Sequence, residues 1–164
     1  MHAAVASMDR PPGRLARAAL RLPTWLYRAH FGWLLGDRFL CVTHRGRKSG
    51  KLRRTVVEVV RFDQEALEAV VVAGWGPRTQ WYRNLEVAPA VEVRIGPRRW
   101  RRPAQRLLDE EERAEVLGEY EREHPRAAKE LARVLGGSGV DDAGLREMAE
   151  RLRAVAFSPA RATA

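Results

Sequence analysis

The chain has 164 residues, 45% of them hydrophobic and 31% charged, and its net charge is +9. This composition excludes a disordered chain and predicts a single globular domain over 1–164 with a hydrophobic core. The single cysteine, Cys41, excludes an intrachain disulfide framework and a cysteine-based zinc site. No apolar run reaches the roughly 18 residues of a membrane span, and the N-terminus lacks a signal-peptide core, so we expect a cytoplasmic protein.

The positive charge is concentrated early in the chain. Acidic and basic side chains nearly balance from Phe62 onward, so the net charge of +9 belongs to residues 1–61. An uneven charge of this kind predicts an anionic partner, which could be a phosphate-bearing cofactor, an anionic lipid or a nucleic acid.

Residues 1–9 are predicted to be a loose tail, and residues 10–35 to form two helices separated by Pro23. The first helix carries a stripe of arginines, and the second is rich in aromatic side chains. Such a pair can pack on its own domain as a lid, which we favour, or lie on an anionic membrane. Peripheral contact with the inner face of the membrane therefore stays open as an alternative.

Residues 38–107 are predicted to form a small barrel. Apolar patterns bounded by turn residues predict strands at 38–43, 55–62, 66–73, 91–95 and 98–107. The continuous valine run 70–72 indicates a central, buried strand. Pro103 indicates an edge or a bulge in the last strand. A short helix is expected at 78–85.

Residues 109–156 are predicted to be helical. A capping box at Asp109 and Glu112 begins a helix that runs to about residue 123, and Pro125 can begin the next helix. A last helix, capped by the aspartate at 141 or 142, is predicted to include Val155, and residues 158–164 are expected to fray. Strands joined by short turns, with helices before and after them, favour an α+β class with a mainly antiparallel sheet or barrel.

Residues 44–54, called the basic turn below, link the first two predicted strands and are rich in arginine and lysine. Gly46 and Gly50 permit a positive φ and a close approach of the backbone to a ligand. Successive N–H groups in such a turn can form an anion-binding nest, and the basic side chains can bind phosphate or carboxylate oxygens. His44 either faces a bound phosphate or is simply exposed. The alternative is a solvated hairpin whose charges are incidental.

A second stretch, residues 73–85, carries two glycines from the end of a buried strand into the start of a helix. Trp75 and Trp81 can form the walls of a site for a flat ring, and Asn84 can share a helix face with Trp81. The stretch would suit a planar heterocycle with a phosphate tail. A tryptophan–tyrosine pair on a helix is, however, more often part of a core.

Other constellations in the sequence are weak. The four histidines show no metal-ligand spacing, and Ser49 lacks the context of a nucleophile. Glu58 is expected on the solvent face of its strand. Residues 98–102 place arginines around Trp100, which could bind single-stranded nucleic acid or lipid, or could protect an edge strand from aggregation; we favour protection. We therefore predict no metal site and assign no catalytic residue.

Two motifs in the sequence resemble, in their order and spacing, two motifs of a known protein family. Residues 43–54 resemble the T-x-x-G-R-K-S-G-x-x-R turn of the deazaflavin-dependent nitroreductase family, which includes F420H2-dependent oxidoreductases. Residues 81–93 resemble its W-Y-x-N-L-x-x-x-P-x-V-x-V block. The resemblance implies a split β-barrel of five or six mainly antiparallel strands, flanked by N-terminal and C-terminal helices. It also implies coenzyme F420, a deazaflavin with a phosphodiester and a polyglutamate tail, and hydride transfer to a quinone, a nitro compound or another small acceptor.

The resemblance further implies cofactor-binding roles for residues of both stretches. They are Arg47, Lys48, Ser49 and Arg53 at the phosphate, Ala73, Gly74, Trp75 and Gly76 at the ring, and Trp81 and Asn84 beside it. The coenzyme supplies the hydride, so no protein nucleophile is required. Tyr120 and His124 are candidate proton donors. FMN or haem is the alternative cofactor, although FMN needs fewer cations than this turn supplies; a homodimer is expected from the fold, and nucleic acid is not an expected partner.

Overall fold

The computed structural model describes residues 36–135 and 141–160. Within them one sheet contains seven strands in the order β5-β4-β1-β2-β3-β7-β6, and every neighbouring pair is antiparallel. The strands are β1 (Phe39–Arg45), β2 (Leu52–Asp63), β3 (Glu68–Ala73), β4 (Glu92–Ile95), β5 (Arg98–Arg101), β6 (Ala104–Leu107) and β7 (Arg153–Ser158). The predicted α+β class and split β-barrel are confirmed, with seven strands rather than five or six.

The sheet curls around a core to which β1 to β5 and β7 all contribute. The helix α1 (Gln80–Val87) closes this core with Trp81, Tyr82 and Leu85. The core forms here because side chains alternate along each strand, so that one face of the curled sheet points inward. A 3₁₀ turn, Gly76–Arg78, leads from β3 into α1.

The opposite face of the sheet is covered by helices. These are α2 (Glu110–Glu123), α3 (Pro125–Leu135) and α4 (Asp142–Arg151). Val116 and Tyr120 of α2 and Ala128 of α3 pack against Val60 and Val70 of the sheet. Because β3 is covered on both faces, its valines form a continuous apolar run, and the prediction of a central strand is confirmed.

The predicted capping box forms at the start of α2. The N–H group of Glu112 donates to Asp109 Oδ1, and the N–H group of Asp109 donates to Glu112 Oε2, both over 2.9 Å. Two backbone donors that the helix leaves unpaired are thereby satisfied.

Two expectations about the strands are wrong. The strand predicted at 98–107 is broken at Arg102, which has a positive φ of 48°, and its two halves, β5 and β6, lie at opposite edges of the sheet. Pro103 therefore lies in the link between two edge strands. The last helix ends at Arg151, and Val155 belongs to β7, which pairs with β3 and β6. Long-range pairing has outweighed the local helical pattern at this point.

The described residues leave several predictions undecided. The tail 1–9 and the helices 10–35 lie outside them. The expectation that Ser158 belongs to a frayed tail is wrong, because Ser158 pairs with Ala104. That residues 1–164 form one domain stays a prediction. No helix within the described ranges is long and apolar enough to cross a membrane.

The unpredicted strand β7 should contribute strongly to stability. Phe157 is fully buried in the barrel core, so Phe157→Ala should lower the free energy of unfolding by about 3 to 5 kcal/mol, measured by urea denaturation. Val87→Ala is the control, because the Val87 side chain is 69% exposed and its loss should change stability by less than about 0.5 kcal/mol. Equal effects of the two substitutions would contradict the placement of β7 in the core.

Candidate functional site

The basic turn closes the hairpin between β1 and β2. The N–H group of Gly46 donates to Lys51 O (2.9 Å), and that of Gly50, whose φ is 65°, donates to Gly46 O (2.7 Å). A Cβ atom added to Gly46 would lie 2.8 Å from Ser49 Oγ and 3.0 Å from Arg53 Nε. The absence of a side chain at Gly46 therefore allows Arg53 to pass close to the turn.

The expected nest of free N–H groups is not what the turn offers. The N–H groups of Gly46, Ser49 and Gly50 are bonded within the turn, and that of Arg47 donates to Asn84 Oδ1 (3.1 Å). Ser49 Oγ accepts from the N–H group of Lys51 and so shapes the turn. An anion would therefore be bound mainly by exposed side chains, of which Lys48 and Arg53 belong to the predicted site.

Arg47 connects the two stretches that the sequence predicts separately. Its guanidinium group donates to Asn84 Oδ1 (3.1 Å) and to Gln80 Oε1 (2.9 Å), both on α1. Asn84 is 4% exposed and faces the basic turn. Arg47 and Asn84 therefore fix the turn to α1, and the direct contact with a cofactor that the resemblance implies for them stays a prediction.

His44 is buried behind this contact, which neither sequence-based interpretation expects. Its Nδ1 lies 3.1 Å from Asn84 Nδ2, and its Nε2 lies 3.2 Å from Thr55 Oγ1. Burial lowers the pKa of His44, and the nearby charge of Arg53 lowers it further, against a smaller opposing effect of a backbone hydrogen bond at Arg45. The imidazole is therefore neutral at physiological pH.

The two tryptophans that follow β3 lie in different environments. Trp75 is 38% exposed, whereas Trp81 is 8% exposed, belongs to the barrel core and meets Tyr82 edge to face. The core interpretation is right for Trp81, so the indole available to a flat ligand is that of Trp75. Gly76 is required for packing, because its added Cβ atom would lie 2.3 Å from Arg151 O.

Thr79 precedes α1 and leaves a polar group unpaired. Thr79 is 5% exposed, and its Oγ1 atom has no hydrogen-bond partner in the part of the chain that the structure describes. Thr79 does not cap the helix with its side chain. The N-terminus of α1, which favours negative charge, thus lies close to the contact between Arg47 and Gln80.

A cavity of about 430 Å³ lies on the outer face of β2, at the end away from the basic turn. The hydroxyl group of Tyr120, on α2, donates to Glu58 Oε1 (3.1 Å), which Arg38 also approaches (3.4 Å). His124 packs against Tyr120 with ring centroids 5.4 Å apart. Glu58 is therefore not a simple solvent-facing residue. Burial, with the neighbouring charge of Glu58, raises the pKa of Tyr120 to about 12, so the phenol keeps its proton.

The outer face of β2 joins the basic turn to this cavity. Because side chains alternate, Arg54 and Val56 share the face of Glu58, and the strand spans about 17 Å from Arg53 to Glu58. Arg54 is exposed and was not among the residues implied by the resemblance. The signal that could have found it is the period of two that puts it in line with Glu58.

The arginines around Trp100 are mostly engaged within the protein. Arg94 Nε and Arg99 Nε each donate to Glu92 over 2.6 Å, and Arg98 pairs with Asp37 (3.1 Å). Burial would raise the pKa of Glu92, but these two hydrogen bonds outweigh it and lower the pKa. Trp100 is 7% exposed and lies in the core, so it cannot stack on a base. The arrangement favours protection of the edge strand β5 over nucleic-acid binding.

Comparison with known proteins identifies related sequences and folds. A family model described as F420H(2)-dependent quinone reductase matches residues 19–134. A solved structure described as an F420-H2 dependent reductase (FDR-A) superposes with a TM-score of 0.51 at 21% identity, covering 75% of this chain and 96% of that chain. This likeness supports the fold.

A more distant structure comes from Clostridium acetobutylicum. It is described as related to a general stress protein of B. subtilis, in the pyridoxinephosphate oxidase family. It superposes with a TM-score of 0.47 at 10% identity and covers 83% of this chain and 84% of that chain. That score is too low to add to the fold assignment.

Cys41 does not belong to a reactive site. It is 3% exposed on β1, and burial raises its pKa to about 11 against the lowering effects of Arg54 and Arg94. Among the residues that the structure describes, no group of histidine, cysteine and acidic side chains could hold a metal ion. Neither thiol chemistry nor a metal centre is therefore available in this part of the chain.

The Cys41 thiol should be unreactive in the folded protein. A thiol with a pKa of about 11 is almost entirely protonated at neutral pH, and its burial blocks access by a disulfide reagent. Labelling with an aromatic disulfide should be slow in buffer and rapid in denaturant. Fast, stoichiometric labelling of the native protein would show that Cys41 is accessible.

Proposed function

Because the chain belongs to the F420H(2)-dependent quinone reductase family, we propose that it reduces a quinone-like acceptor, with the coenzyme tail at the basic turn and the acceptor in the cavity beside Tyr120. The chain is an oxidoreductase whose cofactor is coenzyme F420. The identity of the acceptor and the placement of both ligands are the proposal. The observation that carries it is the outer face of β2, which has the exposed Arg54 near the basic turn and the cavity at its other end.

The residues of the basic turn fit an anionic tail. Lys48, Arg53 and Arg54 are exposed, and no carboxylate in the described ranges forms an ion pair with them. Their charges are available to phosphate and carboxylate oxygens, which arginine can bind in a bidentate manner. Ser49 and Arg47 would then act by fixing the shape of the turn.

Residues that could contact the coenzyme ring lie on the side of the basic turn. Trp75 offers an exposed indole, and the buried, unpaired Thr79 hydroxyl lies near the N-terminus of α1. The backbone from Ala73 to Gly76 leaves the central strand β3 beside them. When bound, F420H2 would supply a hydride, which requires the reacting part of its ring to extend along β2 and contact the acceptor in the cavity. The protein supplies binding, orientation and electrostatic stabilisation.

The cavity beside Tyr120 has the chemistry that a quinone requires. A quinone is flat and apolar apart from its carbonyl oxygens, and its reduction to a hydroquinone consumes one hydride and one proton. Val60 and Ala127 line the cavity with apolar groups. The Tyr120 hydroxyl, which keeps its proton because its pKa is about 12, would donate its hydrogen bond to a carbonyl oxygen of the acceptor in place of Glu58 Oε1. His124 is exposed beside Tyr120, so the proton can come from solvent at this side of the cavity.

Other expected partners remain predictions. Membrane contact concerns residues 10–35, which lie outside the described ranges, and the structure describes one chain, so a homodimer is untested. The cytoplasmic location likewise stays a prediction.

Substitutions at the two ends of the site should have separable effects. Replacing Lys48 and Arg53 by alanine should weaken F420 binding at least about tenfold, because a hydrogen bond to a charged group contributes about 1.5 to 3 kcal/mol. Tyr120→Phe should instead raise KM for a soluble naphthoquinone and leave the Kd for F420 unchanged. Binding is measured by calorimetric titration, and turnover by the return of F420 absorbance.

A matched control removes the same charges elsewhere. Arg122→Ala with Lys129→Ala deletes one arginine and one lysine from the exposed surfaces of α2 and α3, and should leave F420 affinity near that of the wild type. Wild-type affinity in the Lys48 and Arg53 double variant would exclude the basic turn as the tail site. An unchanged KM in Tyr120→Phe, with altered F420 affinity, would place the acceptor elsewhere.

A further inference from the structure

A buried chain of polar groups runs from β2 through β1 and α1 to the basic turn. Thr55 contacts His44 (3.2 Å), His44 contacts Asn84 (3.1 Å), and Asn84 Oδ1 accepts both the N–H group and the guanidinium Nη1 of Arg47 (3.1 Å each). His44 is 2% exposed and Asn84 is 4% exposed. Neither group is used by the proposed reaction.

The direction of each hydrogen bond in this chain is determined by its donors. Arg47 offers only donors to Asn84, so the carbonyl oxygen of the amide must face the turn and its nitrogen must face His44. The amide nitrogen can only donate, so His44 Nδ1 must accept, and the proton of the neutral ring lies on Nε2 and points to Thr55. Only a neutral His44 satisfies every member of the chain.

We propose that His44 and Asn84 are positioning residues that hold the basic turn in the shape that binds the F420 tail, and that protonation of His44 releases the turn. This inference rests on the proposed placement of the tail at the basic turn. His44 is a residue that the family resemblance does not mark, because it occupies a variable position of the T-x-x-G-R-K-S-G motif.

Protonation would reverse one contact in the chain. With a proton on both ring nitrogens, His44 Nδ1 would face the donor nitrogen of Asn84. If the amide rotated to accept that proton, its nitrogen would face the two donors of Arg47. One buried polar contact is therefore lost in either orientation, and an unpaired buried donor is unfavourable.

Burial is the main effect that disfavours the protonation of His44, and the charge of Arg53 on β2 adds to it, whereas a backbone hydrogen bond at Arg45 on β1 opposes it. Arg47 lies beyond Asn84 in the turn. From α1 the contacting group is the uncharged Asn84. The folded protein therefore binds a proton at His44 less readily than the unfolded chain does. The stabilising effect of the neutral ring is complete above the ordinary pKa of 6.5 and is lost as the pH falls below it.

The test compares F420 affinity near pH 7.5 and near pH 5.5 in variants of His44. Wild-type affinity should be lower at the lower pH, by at most about tenfold, the scale of one buried hydrogen bond. His44→Asn keeps an oxygen acceptor near the position of Nδ1 but cannot titrate, so it should bind F420 like the wild type at the higher pH and lose less at the lower one. The ratio of variant to wild-type Kd at each pH removes the effect of ionisation of F420 itself.

Two further variants test the hydrogen bonds directly. His44→Leu and Asn84→Leu remove the acceptor and the bridge, respectively, and should weaken F420 binding about tenfold at both pH values. If either variant does not fold, the comparison with His44→Asn still decides the matter. The free energy of unfolding should also fall with acid in the wild type more steeply than in His44→Asn.

The outcomes distinguish this inference from the proposed function. If the double variant at Lys48 and Arg53 binds F420 normally, the tail site is wrong and the inference loses its basis. If that variant loses binding but His44→Asn shows the same acid loss as the wild type, the tail site stands and the positioning role of His44 is overturned.

Discussion

The amide of Asn84 is the contact on which the arrangement of the site depends. Its oxygen accepts from the backbone and from the guanidinium group of Arg47, and its nitrogen faces His44. These bonds join α1, which closes the barrel, to a turn that would otherwise be held mainly by its own backbone bonds. A hairpin tip rich in like charges repels itself, so an external anchor is needed to keep it in one conformation.

The long strand β2 contributes to both hydrophobic cores and connects the basic turn to the cavity. Its inner face contributes Val59 to the barrel core, and its outer face meets Tyr120 of α2 through Glu58 and Val60. A register shift between Val59 and Arg61 lets neighbouring residues face both cores. Because one strand runs from the basic turn to the cavity, these two parts of the surface are fixed relative to each other by the same element.

Similar basic side chains have different partners in the folded protein. The arginines near β5 bind Glu92 and Asp37, whereas Lys48, Arg53 and Arg54 have no such carboxylate among the described residues. The composition of the sequence does not show which arginines and lysines will have a carboxylate partner. Their partners differ because Glu92 lies on β4, directly beside the edge strand β5. Lys48 lies in the loop between β1 and β2, and Arg53 and Arg54 lie at the start of β2, opposite His44 and Thr43. Cations without partners are the ones that can bind an external anion.

Local signals in the sequence determined the hairpin around Gly46 and Gly50, the central strand with Val70, the capping box at Asp109 and the two motifs of the family. Each depends on neighbours within a few residues or on spacing alone. The tertiary structure decided the strand β7, the burial of Trp81 and the hydrogen bonds of Asn84. Asn84 is 37 positions from Arg47 and 40 positions from His44 in the sequence. These features depend on which face of a folded element meets another, and a helical or strand pattern does not contain that information. Val155 could belong to a helix or to a strand by its local sequence. It belongs to a strand because β7 pairs with β3 on one side and with β6 on the other.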